Sequence, residues 1–181
     1  MNVRLHKANP AEIKQIEELY YSAFPKEERT PFPLMKLRAK QNKGVMLAAC
    51  ENGRFVGFTY IIEHKDCAYL FYLAIIPEMR GTGLGTAILD QLKEHYKKGR
   101  LFLAREALEP DSDNYEQRVR RHSFYIRNGF EDYPCKIHEG TVNFETMGIG
   151  GMPSPDDYKA LITKFAGSLF IKFFPMYLTN D

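Results

Sequence analysis

The stretch "CAYLFYLAIIPEMRGTGLGTAILDQL" changes its hydrophobic period once, and that change limits the folds open to the chain. Up to Pro77 it is an apolar run of strand length, rich in aromatic and β-branched residues. From Gly83 to Lys98, Leu84, Ile88, Leu92 and Tyr96 recur at about one helical turn. "RLFLA" then reads as a further buried strand. A strand, a Gly-rich turn, a helix and a strand between Ala68 and Ala104 make a crossover unit, which joins parallel strands.

The residues before this unit have a different order. "VMLAACENG", "RFVGFTYIIEH" and "CAYLFYLAIIP" are successive strand-like runs, the first two joined through Asn52-Gly53, a two-residue hairpin signal. His64-Lys65-Asp66 makes the second turn, so the middle of the chain is an antiparallel meander. "VRLHKA" suits a first strand, Val3 to Ala8. Asn9-Pro10-Ala11-Glu12 then reads as a helix start, with Asn9 as cap, Pro10 in the first turn and Glu12 reaching back. Ile13, Ile16, Tyr20 and Ala23 give that helix one apolar face. "FPKEERTPFP" holds three prolines and four charges in ten residues, which predicts an exposed loop, followed by a short helix from Leu34 to Asn42. Beyond the crossover, "NYEQRVRRHSFYIRNGF" reads as a helix ending near Gly129, then strands at Phe130 to Ile137 and Thr141 to Met147, then a helical tail. The expectation is an α/β fold of mixed α+β character. A mixed, mostly antiparallel sheet of six to seven strands is flanked by helices on both faces, with a C-terminal helix. One domain spans 1–181, with about 150–181 as a helical extension.

Composition narrows the function. A chain of 181 residues that is 44% hydrophobic suits one compact domain. A formal net charge of +2, without a basic block or acidic tail, points away from nucleic acid. Cys50, Cys67 and Cys135 are odd in number and far apart, and no CxxC or Cys/His spacing suggests a metal, so a reducing cytoplasm is the expected setting. "MNVRLHKANP" has no apolar signal core. The tail "ALITKFAGSLFIKFFPMYL" is apolar, but Lys164, Lys172 and Pro175 break it into runs too short for a membrane span. Leu161, Phe165, Leu169 and Phe173, one turn apart, would pack on the domain or on a second subunit in a homodimer.

Several Gly-rich loops bind phosphate, and spacing separates them. A P-loop needs GxxxxGK[ST], but no lysine or serine follows Gly85. A dinucleotide fingerprint needs GxGxxG, and here Thr86 stands where the third glycine belongs. What remains is Arg80-Gly81-Thr82-Gly83-Leu84-Gly85 between a strand and a helix N-terminus. Glycines let backbone amides approach a ligand, the helix start adds about half a positive charge, and Arg80 adds a full one. The result is an anion cradle suited to a diphosphate. On the later helix, Asn114, Gln117, Arg118, Arg121, Tyr125 and Asn128 fall on one face, while Tyr115, Val119, His122 and Ile126 form a neighbouring face able to pack on the sheet.

"YLAIIPEMRGTGLGTAIL", with Leu73, Ile75 and Pro77 before the turn, resembles the acyl-CoA binding signature [Q/R]-x-x-G-x-[G/A] of the GNAT superfamily of N-acyltransferases. "FYIRNGF" resembles that family's later motif, a tyrosine-bearing helix ending at Gly-Phe, and the order of elements agrees from about Val3 to Gly148. The resemblance implies transfer of an acetyl group from acetyl-CoA to a primary amine of a small molecule or peptide, by direct attack in a ternary complex and without a metal. It implies that Arg80, Gly81, Thr82, Gly83, Leu84, Gly85 and Thr86 hold the pyrophosphate. Backbone groups near Leu73, Ala74 and Ile75 would pair with the pantetheine arm, one N–H polarising the thioester carbonyl. Tyr125 matches the tyrosine that acts as general acid toward the leaving thiolate, and Asn114, Arg118 and Arg121 would contact the coenzyme. Phe24, Glu28, Arg29 and Phe32 fall in the acceptor-side segment. An attacking amine must lose a proton, and Glu106 is the first choice of base, ahead of Glu28 and Glu63. A non-catalytic acyl-CoA sensor would keep the same cradle and differ only in lacking turnover.

Overall fold

The computed structural model describes residues 2–140, 142–168 and 176–180. In chain order the elements are β1 (Val3–Lys7), α1 (Pro10–Ala23), α2 (Phe32–Lys40), β2 (Val45–Glu51), β3 (Arg54–His64), β4 (Cys67–Ile75), α3 (Leu84–His95), β5 (Arg100–Glu106), α4 (Tyr115–Arg127), β6 (Glu131–Glu139), β7 (Val142–Ile149), α5 (Pro155–Ala166) and β8 (Met176–Asn180). The strands are hydrogen-bonded in the order β1-β2-β3-β4-β5-β7-β6-β8, mixed and mostly antiparallel. The chain divides into two compact units, one formed by the residues up to Ile62 with Leu70–His95, the other by Glu63–Tyr69 with the residues from Tyr96 onward.

In the first unit, the helix start read from sequence is a full capping box. Asn9 Oδ1 accepts from the Ala11 and Glu12 amides, and Glu12 Oε2 accepts from the Asn9 amide at 2.8 Å. Ile16 and Tyr20 are buried as the periodicity predicts, with Leu19 beside them. Asn52 and Gly53 both have positive φ, 52° and 79°, as a tight hairpin turn requires. The outer edge of β1 is met by a side chain of α3: Leu5 N–H donates to Gln91 Oε1 at 3.2 Å, and Gln91 Nε2 donates to Val3 O at 3.0 Å. Gly57 is fixed by a close approach, because a Cβ there would lie 2.4 Å from the Ala74 carbonyl oxygen. One expectation fails at the loop "FPKEERTPFP". Its end is not exposed: Phe32 begins α2 and is fully buried, its ring centroid 5.6 Å from that of Tyr20.

In the second unit the predicted parallel pair is present, with Cys67, Ala68 and Tyr69 of β4 facing Arg100, Leu101 and Phe102 of β5. Its start is a tight junction. Arg100 N–H donates to Asp66 O at 2.7 Å, and a Cβ on Gly99 would lie 2.3 Å from that same oxygen. The Arg100 guanidinium grips both Asp66 carboxylate oxygens at 2.9 Å and reaches Asp157 Oδ2, in the first turn of α5, at 2.7 Å. Cys135 and Thr146 close a buried polar contact between β6 and β7. Under α5, Tyr69 and Tyr158 both donate to Glu139 Oε1, at 3.0 and 2.8 Å, and burial raises that carboxyl above its ordinary value.

Two further departures concern α3 and the tail. α3 ends at His95, so Tyr96 lies past it, and its hydroxyl donates to Glu63. The tail forms α5 over Pro155–Ala166, and Met176–Asn180 is a strand, β8, paired with β6, which brings the sheet among the described residues to eight strands instead of six or seven. Met-Tyr-Leu-Thr suits a strand on the free edge of β6. The predicted helical contacts of Leu169 and Phe173 lie outside the described residues. Among the described residues no helix is long and apolar enough to cross a membrane.

Arg100 holds the Asp157 carboxyl well below its ordinary value, first through the direct hydrogen bond and against the opposing effect of burial. A depressed folded value stabilises above the unfolded carboxylate range, about pH 4, and the effect is lost as pH falls through the folded value. Asp157→Asn should therefore lower the urea midpoint at pH 7. The gap to wild type should shrink steadily in titrations repeated below about pH 4.

Candidate active site

The glycine turn begins after β4. Leu73 and Ile75 are half-buried and Ala74 is buried, and a short 3₁₀ turn, Pro77–Met79, then redirects the chain. Arg80 Nε donates to Ile75 O at 3.1 Å, and Thr82 Oγ1 donates to Met79 O at 2.7 Å, so the turn is folded by its own polar groups. Gly81 and Gly83 have φ of +76° and +90°, a region costly for residues bearing a Cβ. The first helical bond runs from Ala87 N–H to Gly83 O, which leaves the amides of Gly83, Leu84, Gly85 and Thr86 without intrahelical acceptors. Arg80, Gly81, Thr82, Gly83 and Thr86 are exposed, and Leu84 and Gly85 are buried beneath them. This is an open cradle of N–H donors at a helix N-terminus with one guanidinium beside it, a fit for phosphate oxygens.

The segment from Phe24 to Phe32 in the same unit is clasped by two tyrosines. Tyr20 hydroxyl donates to Thr30 O at 2.8 Å, and Tyr72 hydroxyl donates to Glu28 O at 2.8 Å while accepting from Thr30 N–H at 3.0 Å. Phe24 packs on Tyr72 with centroids 4.8 Å apart. Arg29 lies over the Tyr21 ring at 5.3 Å and donates from Nε to Phe24 O. Phe24, Glu28, Arg29 and Phe32 are thus one ordered corner. Sequence reading missed Tyr20 and Tyr72 as its clasps, since apolar periodicity treats a tyrosine as core and is blind to where its hydroxyl goes.

In the second unit, α4 ends in a glycine motif that fixes Tyr125. Phe130 N–H donates to Tyr125 O, and Gly129 N–H, at a φ of +84°, donates to Ile126 O. The accompanying apolar contact is the Tyr125–Phe130 ring pair, 5.5 Å apart. "FYIRNGF" is therefore a Schellman cap, with Asn128 Nδ2 closing on Phe124 O at 2.7 Å. Tyr125 is buried, and burial raises its phenol above the ordinary value against the pull of Arg121. Its hydroxyl has no hydrogen-bond partner among the described residues.

The polar face of α4 is tied to the end of β5. Glu106 Oε1 accepts from Asn114 Nδ2 at 3.0 Å and meets Arg118 Nε at 3.1 Å; Glu106 Oε2 meets Arg121 Nη1 at 3.0 Å. Arg118 also donates to Asn114 Oδ1 and Ala107 O. Four predicted site residues are thus brought together, bound to one another. The neighbouring face departs from expectation: Ile126 is 44% exposed, and His122 pairs with Asp132 at 2.8 Å instead of packing. Asp132 in turn meets the buried Arg105, which also meets Glu145. Charge pairs tie this helix to β5 and β6, and helical periodicity of apolar residues could not find them. Glu63, the third base candidate, is taken by Tyr96.

The profile of the Acetyltransferase (GNAT) family matches residues 13–130, and the chain belongs to that family. It is similar to the uncharacterized N-acetyltransferase YhfO of Bacillus subtilis (strain 168), 26% identical over 149 residues that cover 76% of this chain and 95% of the relative. Among solved structures, a protein from Bacteroides thetaiotaomicron assigned to the GNAT family superposes with a TM-score of 0.69 at 23% identity, covering 92% of this chain and 98% of its own. An aminoglycoside 6'-N-acetyltransferase complexed with coenzyme A gives 0.63 at 17% identity, covering 86% of this chain and all of its own.

A Cβ on Gly129 would meet nothing within 4 Å, so substitution there is opposed by backbone strain alone. Gly129→Ala should cost about 1 kcal/mol in a denaturant titration, with no change in the far-UV circular dichroism of the native state.

Proposed function

We propose that the chain transfers an acetyl group from acetyl-CoA to a primary amine of a small molecule or peptide by direct attack within a ternary complex. The observation that carries this reading is the turn Arg80–Thr86, whose Gly83, Leu84, Gly85 and Thr86 amides have no intrahelical acceptor, in a chain of the GNAT family. Acetyl-CoA supplies the thioester. Backbone amides of the turn and Arg80 bind its pyrophosphate, and backbone groups of Leu73, Ala74 and Ile75 align the pantetheine arm, one N–H drawing charge from the thioester carbonyl.

Tyr125 is assigned as the general acid. Its raised phenol stays protonated at neutral pH, its hydroxyl has no competing partner among the described residues, and a departing thiolate is a fitting acceptor for that proton. Arg121, the most exposed cation of its group, is assigned a coenzyme phosphate contact. Asn114 and Arg118 act through Glu106, and Glu106, engaged at both oxygens, holds α4 in place; the amine's proton leaves to solvent. The ordered corner of Phe24, Glu28, Arg29 and Phe32 bounds the acceptor.

Thiol release measured across a panel of amines tests the reaction: coenzyme A binding with no turnover on any amine would favour a sensor. Tyr125→Phe should lower kcat on the order of 10²-fold while leaving acetyl-CoA affinity unchanged. Arg80→Ala should weaken coenzyme A binding about tenfold by calorimetry. Glu106→Gln should lower the melting temperature and turnover yet keep the acidic limb of the pH–rate profile; loss of that limb would make Glu106 the base.

A further inference from the structure

Away from the turn and α4, His6, Glu12 and Cys50 are, among the described residues, the one group with three metal-ligating atoms all within 4.8 Å of one another. They come from three elements of the first unit. Arg4 faces Cys50 and His6 faces Ala48 across the β1–β2 ladder, so His6 and Cys50 are diagonal neighbours on one face of the sheet. Glu12 enters from the first turn of α1. The capping box fixes its orientation, since Oε2 is occupied by the Asn9 amide. Oε1 is left facing both other groups, 2.8 Å from His6 Nε2 and 3.5 Å from Cys50 Sγ. A β-bulge between β2 and β3 falls at Ala49/Cys50, beside the thiol.

We infer that His6, Glu12 and Cys50 form a binding site for a divalent ion of the zinc class, joining β1, α1 and β2. Bonds of about 2.0 to 2.3 Å place tetrahedral ligand atoms roughly 3.3 to 3.6 Å apart. The sulfur–oxygen separation is already of that size, and the nitrogen–oxygen one must open by about half an ångström, within reach of a small imidazole rotation. The mixed nitrogen, oxygen and sulfur set suits zinc or cobalt and not calcium or magnesium. His6 Nδ1 is buried without a partner, so the second ring nitrogen is open to the hydrogen that Nε2 must give up to ligate. The His6 side chain is 34% exposed, which gives an entry path and room for water at the fourth position. Burial, then the neighbouring Glu12, raise the Cys50 thiol, so without an ion it carries its proton. Binding releases that proton to solvent as the sulfur–metal bond forms; the Nε2 proton of the imidazole–carboxylate hydrogen bond moves to Nδ1, and that hydrogen bond gives way to two metal bonds.

The test uses the full chain, stripped with a chelator and titrated with Co²⁺. Wild type should take up one ion per chain with thiolate-to-cobalt charge-transfer absorption. Cys50→Ser and His6→Gln should each abolish that absorption, while Cys67→Ser should keep it. Zn²⁺ should raise the melting temperature of wild type and not of His6→Gln, a half-exposed position where folding is retained. Absence of thiolate absorption in wild type, or its survival in either ligand variant, would overturn the inference. Neither readout depends on acetyl transfer.

Discussion

The parallel pairing of β4 with β5 is the constraint on which the rest of the fold turns. Parallel neighbours cannot be joined by a hairpin, so the chain between them must leave the sheet, form α3 and return. The return point is fixed by a residue with no side chain, Gly99, against the Asp66 carbonyl, and by Arg100, whose guanidinium binds the turn before β4 and the first turn of α5. Moving that point by one residue would turn the faces of β5 over. The departure point is the glycine turn. The segment that makes the topology feasible is thus also the one that exposes unbonded amides.

The glycine turn and the polar face of α4 are held by different physics. The turn is shaped by backbone, through positive φ at two glycines and by polar bonds of Arg80 and Thr82 to nearby carbonyls. The face of α4 is shaped by charge, with Glu106 between two guanidinia on one side and the Arg105–Asp132–His122 chain on the other. Pairs of this kind contribute little net stability, but breaking one leaves an uncompensated charge, so they favour one placement of the helix over others.

Much of this was legible in the sequence where a short-range rule governs. The capping box at Asn9, the hairpin at Asn52-Gly53, the period change at Gly83 and the Gly-Phe end of α4 are all written within a few residues. What escaped reading depends on residues far apart in the chain. β8 forms because β6 offers an edge, Phe32 is buried because Tyr20 and Tyr21 meet it, and the Glu106 cluster needs β5 and α4 side by side. His6 and Cys50, 44 positions apart, show no spacing that suggests a ligand pair until the β1–β2 register sets them diagonally. The family motif located the turn and the tyrosine but carried no information about which guanidinia are already engaged.

Gln91 has a consequence for how molecules of this protein can meet. Its side-chain amide donates and accepts at Val3 and Leu5 as a neighbouring strand would, at the one edge of the sheet that begins the chain. A second polypeptide seeking to lengthen the sheet there would find its first rungs already taken, and would have to expel a helix side chain to add itself. Natural sheets blunt their edges with charge, proline or bulges; here a single glutamine acts as a decoy strand.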